Sequence, residues 1–194
     1  MNWRSAGLGI YSMYHRFLMG MLALAAPFAA NTAFAQTRSP DTIDPAEMLS
    51  ALDAGSVDAA LAVVTVNAVA QMDEAGNQFM TATVGNGLTF EIHFASCEQE
   101  LSQACKAMYL IARWDAVSPD AQEQMEALAN NFQMERPIVS TGFLPDGKPY
   151  LLRFVIADYG IQQGNVLSEF SNFIQNATDF HNLIGTEVPL NAAE

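Results

Sequence analysis

Residues 88–95, LTFEIHFA, and residues 106–114, KAMYLIARW, constrain this chain more than any other stretch. Both alternate in side-chain character, and a period of two belongs to a strand. In the first, Phe90, Ile92 and Phe94 share one face, and Thr89, Glu91 and His93 the other. In the second, Met108, Leu110, Ala112 and Trp114 oppose Tyr109, Ile111 and Arg113. Two such strands with a short interval between them predict an antiparallel hairpin. Cys97 and Cys105 stand in that interval.

The first 35 residues read as an address. Arg4 and Arg16 are their only charged side chains, Phe17 to Ala35 carries no charge, and Ala33-Phe34-Ala35 offers a small-x-small exit. Basic start, apolar middle and small-residue exit describe a secretory signal peptide, cut after Ala35. An uncleaved membrane anchor is the rival reading, weakened by Pro27, Asn31 and Thr32. Export predicts a periplasmic or secreted protein, with no membrane association after cleavage. In an oxidising compartment Cys97 and Cys105 are expected to join, stabilising by about 2.5 kcal/mol on a chain-entropy argument. A redox-active pair is the lesser alternative, because the spacing is wider than C-x-x-C and the acidic neighbours Glu98 and Glu100 would raise a thiol pKa.

Charge limits the partners. The chain has 194 residues, 21 acidic and 8 basic, for a net charge of −13. Both basic residues of the first segment leave with it and every acidic residue stays, so the mature chain carries −15. Nucleic acid and anionic membranes need a basic patch and are excluded as partners. An apolar content of 51% excludes a disordered acidic tail.

The other segments add helices and hairpins. Residues 36–43 read as a linker. Asp44-Pro45-Ala46-Glu47 resembles a helix start, with Met48, Leu49 and Leu52 as its stripe and Gly55 as its stop. Residues 57–70 fit either a strand or a helix. Residues 79–84 predict a strand between turns at 73–77 and 85–87. Ser118-Pro119-Asp120 opens a helix that buries Met125, Leu128, Ala129 and Phe132. Strands at 138–144 and 150–157 flank a turn at Pro145-Asp146-Gly147-Lys148. A long amphipathic helix spans about 163–184, and residues 185–194 form a tail. The expected class is α+β: an antiparallel sheet with helices mainly on one face, ordered helix, strands, helix, two strands, helix.

Catalytic machinery is not legible. No G-x-S-x-G elbow, calcium loop or phosphate loop occurs, and only His93 and His181 survive cleavage. No catalytic residue, metal ligand set or cofactor is assigned. His181 near a helix end suits the helix dipole as an imidazolium. Asn176-Ala177-Thr178 fits a glycosylation sequon but lies mid-helix. The candidate site is a surface: Glu91, His93, Tyr109, Ile111 and Arg113 mix aromatic, aliphatic and charged groups on one strand face, as interfaces do.

Several local patterns resemble the YbjN family of small bacterial proteins, described as sensory transduction regulators with a fold like that of type III secretion chaperones. They are Gly87 to Phe94 leading to Cys97 and Cys105, Asn130-Asn131-Phe132, Leu144 to Leu151, and Tyr159-Gly160-Ile161. Ala95-Ser96 and Gln162 depart from the family pattern. The resemblance covers residues 44–184 and implies a chaperone-like fold and a regulatory role, with no catalytic set to carry over. The expected function is therefore an exported, non-enzymatic protein-binding module, a chaperone or adaptor, with a homodimer among the possible assemblies. A periplasmic small-ligand sensor is the alternative, and a metal-dependent enzyme using His93 ranks below both.

Overall fold

The computed structural model describes residues 43–98 and 104–187. The expected signal peptide, residues 36–42 of the linker and the last seven residues lie outside them. The elements are β1 (Met48–Leu49), α1 (Ala54–Val64), β2 (Asn67–Met72), β3 (Gln78–Thr83), β4 (Thr89–Cys97), β5 (Cys105–Arg113), α2 (Gln122–Glu135), β6 (Ser140–Phe143), β7 (Pro149–Ile156), β8 (Ile161–Gln162) and α3 (Gln163–Glu187). Six strands form one antiparallel sheet in the order β2-β3-β4-β5-β7-β6, and β1 pairs with β8 in a small second sheet. The fold is α+β, with its large elements in the expected order.

One side of the six-stranded sheet carries the core. Met80, Phe90, Ile92, Met108, Leu110, Leu151 and Val155 point inward and are buried. The stripe Val166, Phe170, Phe173, Ala177, Phe180 and Ile184 of α3 meets them, with Val57 and Leu61 of α1 and Met125 and Phe132 of α2. Each fully buried large apolar side chain contributes about 1.5–3 kcal/mol. Phe90 packs on Phe173, and Phe180 lies between Trp114 and Phe132. Arg153 reaches from β7 to α3 and holds both carboxylate oxygens of Glu169.

The expected helix at 44–55 is not formed. Asp44 accepts from the Ala46 N–H in a local turn. The carbonyls of Pro45 and Glu47, which a helix would use internally, accept instead from the Gly164 and Gln163 N–H groups. Residues 43–52 are thus a strap that satisfies orphan donors at the start of α3. Leu52 closes the strap with two backbone bonds to Cys105. The first helix begins later than expected, at Ala54, under a capping box. The Asp53 carboxylate accepts from the Ser56 N–H, and the Ser56 hydroxyl oxygen accepts from the Asp53 N–H. Gly55 lies in its first turn and stops nothing. Segment 57–70 is both of the offered alternatives, helix to Val64 and strand from Asn67. The helix expected from Ser118 opens as a 3-10 turn at Pro119–Ala121, without a side-chain cap bond from Ser118. The last helix continues past 184, to Glu187.

Candidate functional site

The strand register gathers one row of rings on the face turned away from the helices. Phe79, His93, Tyr109 and Phe154 are successive cross-strand partners from β3 to β7. His93 is sandwiched: its ring lies 5.2 Å from Phe79 at 7° and 4.7 Å from Tyr109 at 4°. Stacking of this kind adds about 0.5–1.5 kcal/mol per pair beyond burial. The adjacent row runs Thr81, Glu91, Ile111 and Leu152. On the other side Ala95 pairs with Ala107, and Ala107 with Ile156.

Charge on this face is organised around Glu91. Its two carboxylate oxygens accept from Arg113 Nη1 and His93 Nε2, each at 2.6 Å. Burial pushes the Glu91 carboxyl up, but the bonds and charges of Arg113 and His93 outweigh it and hold the group below its ordinary 4.5. Burial is also the main reason that the Tyr109 phenol titrates above its usual value. The Arg113 charge opposes that rise, and the Glu91 and Asp73 carboxylates add to it. Tyr109 is therefore a neutral hydroxyl at physiological pH.

All five residues singled out from the sequence meet here. Glu91, His93 and Tyr109 are half-buried, Arg113 stands more open, and Ile111 is buried among its neighbours. The sequence reading missed Phe79, Leu152, Phe154 and Ile156. Phe154 is 50% exposed and Ile156 63%. Alternation within β7 carries their signal: Leu152, Phe154 and Ile156 alternate with Leu151, Arg153 and Val155.

Other chemistry is limited by the same geometry. Glu91 is committed to Arg113, and among the described residues no group of three or more His, Cys, Asp and Glu side chains could hold a metal ion. A hollow bordered by Thr81, Thr89, Phe90, Glu91, Ile111 and Arg113 measures about 90 Å³, too small for an ordinary metabolite. A larger groove of about 370 Å³ lies between α2 and α3, lined by Gln124, Leu128, Asn131, Phe132, Glu135 and Leu183. His181 lies inside α3, and its Nδ1 accepts from the Trp114 indole N–H at 3.0 Å. Asn176 of the sequon is buried within α3, and its amide donates to the Asn172 carbonyl.

Cys97 and Cys105 form a disulfide between directly opposed residues of β4 and β5. Such bonds persist in oxidising compartments. Among the described residues no helix is long and apolar enough to cross a membrane.

No protein-family model matches the chain, and no curated protein matches it. The solved structures similar to this chain include the following two. A chain of the HopA1–SchA chaperone–effector complex is 11% identical with a TM-score of 0.40, over 59% of this chain and 81% of that one. An uncharacterized protein from Methanothermobacter thermautotrophicus is 13% identical with a TM-score of 0.45, over 69% of this chain and 97% of that one.

Proposed function

We propose that this chain is an exported, non-enzymatic protein-binding module of the YbjN type, and that its partner docks on the open face of the six-stranded sheet. The observation that carries this reading is the ring row ending in exposed Phe154, with exposed Ile156 beside it. A sheet face made for water alternates to polar side chains. This one presents aromatic and aliphatic groups around a satisfied ion pair, the composition of an interface centre. The net charge of −15 expected after cleavage favours a basic partner and speeds its approach. The resemblance of turn and core motifs to YbjN proteins supports a chaperone-like fold more than a role, and the disulfide supports an oxidising compartment such as the periplasm.

Cross-linked capture from native periplasm with tagged residues 36–194 tests this reading. Arg113 is a poor control, because its loss would strand Glu91. Phe154→Asp with Ile156→Asp is better, because both side chains are exposed. One dominant protein, lost in the double variant while the thermal melt is kept, is the expected result. The same capture in the variant sinks the assignment of this face. Light scattering on the purified chain separates a second copy from a foreign partner.

The α2–α3 groove supports a second reading, a small-ligand sensor. Its volume falls within the range of ligand sites, with Leu128 and Phe132 against the Glu135 carboxylate. A thermal-shift panel of organic cations tests it. A shift abolished by Leu128→Trp favours the sensor, and no shift across the panel removes it.

A further inference from the structure

The disulfide lies next to a residue with a left-handed backbone. Ser96 has φ 53°, in the left-handed region, where a residue with a Cβ is disfavoured because that Cβ crowds the following carbonyl oxygen. The ladder passes from the Ala95–Ala107 pair to the Cys97–Cys105 pair without a Ser96 pair between them. Cys97 is exposed and Cys105 is fully buried. Cys105 also holds Leu52, the end of the strap that caps α3, through both of its backbone groups. Cys97 is thus the more open residue of the pair, while Cys105 belongs to the anchored side of the junction.

We propose that Cys97–Cys105 is a switchable disulfide, reduced by a dithiol protein of the C-x-x-C class at the Cys97 sulfur, which releases the end of β4. An attacking thiolate forms a mixed disulfide with Cys97 Sγ, and the electron pair of the broken bond leaves on Cys105 Sγ, which takes a proton. The second thiol of the reductant then attacks the mixed disulfide. Cys97 leaves as a thiolate and is protonated, and the reductant departs as a disulfide. The protein gains two electrons and two protons, and the dithiol loses them.

Release frees Ser96 from the left-handed region and lets residues 95–97 leave β5. Cys105 stays in place, because β5 and Leu52 still hold it. Ala95 is on the open sheet face and Ala107 separates it from Ile156, so the freed segment borders the patch. The switch does not depend on that face binding a partner.

Dithiothreitol titration of the oxidised chain, followed by thiol alkylation and mass measurement, tests the proposal. Both thiols are expected to appear while the thermal transition stays cooperative. Amide exchange is expected to rise at residues 95–97 and to stay unchanged in α3. Ser96→Gly removes the left-handed cost, so its equilibrium constant for reduction is expected to fall about fivefold. Thiols that appear only at the rate of global unfolding overturn the switch. Equal reduction constants for Ser96→Gly and the natural chain overturn it as well.

Discussion

Replacing Glu91 with glutamine removes a charge and keeps the shape. The carboxylate accepts one charge-assisted bond from Arg113 and one from His93, both at 2.6 Å. A glutamine in its place could accept one of them and would turn an amide N–H toward the other donor. Bonds to charged groups are worth about 1.5–3 kcal/mol when shielded, but exposed ion pairs contribute about 0–1. Glu91 is 29% exposed and Arg113 34%, so solvent screens the pair and the lower end applies. The expected loss is about 1.5 kcal/mol near neutral pH, read from urea unfolding by linear extrapolation. The pH dependence is the sharper test. Glu91 is held below its ordinary 4.5 in the folded chain. Its contribution is therefore fully present above 4.5 and is lost as pH falls through the lower, folded value. The gap between the natural chain and the variant should close once the pH is below that folded value, where the natural carboxyl is also neutral. Other acids titrate in both proteins and cancel in the difference. A gap of the same size at neutral and acid pH would falsify the charge-assisted account.

Two further substitutions probe the frame. Phe173→Ala empties a fully buried site against Phe90 and should cost about 3–5 kcal/mol in the same unfolding assay; a loss below about 1 kcal/mol, on the order of a surface change, would mean that α3 does not seal the core. Gly160→Ala puts a Cβ 2.9 Å from the Leu49 carbonyl at a residue with φ 85°, so it should destabilise by about 1–3 kcal/mol and raise amide exchange in the strap. Unchanged exchange there would disconnect the strap from the start of α3.

The elements legible in the sequence are those whose signals are local. β4 and β5 each declare both faces by alternation, and their register follows once Cys97 opposes Cys105. The α3 stripe declares its buried face in the same way. The strap is not legible, because Asp44-Pro45-Ala46-Glu47 looks like a helix start while its carbonyls are taken by donors far along the chain, at Gln163 and Gly164. Asp44 itself bonds Gln163 across a separation of 119. No local pattern records such a competitor. Half of the candidate face is legible for the same reason. Glu91, His93, Tyr109, Ile111 and Arg113 come from one hairpin, whereas Phe79 and Phe154 join the row only through the pairing of separate strands. Phe154 is the harder one: β7 lies beside β5 in the sheet, but α2 and β6 intervene in the chain.

The outward side of β7 is the part of the proposed docking face that solvation explains least. A strand at a water-facing position can place its apolar groups on one side only and still fold. Here Leu151 and Val155 already supply the inward contacts, yet Leu152, Phe154 and Ile156 face outward. Core packing does not account for those three, because none of them belongs to the buried cluster. Nor does solubility, since a chain with 21 acidic residues has polar alternatives throughout. His93 adds a second constraint. A histidine held between two rings and tied to Glu91 fixes Tyr109, and through the register it fixes the position beside Phe154. Fixed side chains lose less entropy on association, so a rigid row ending in an exposed ring is the arrangement that the proposed docking role would use.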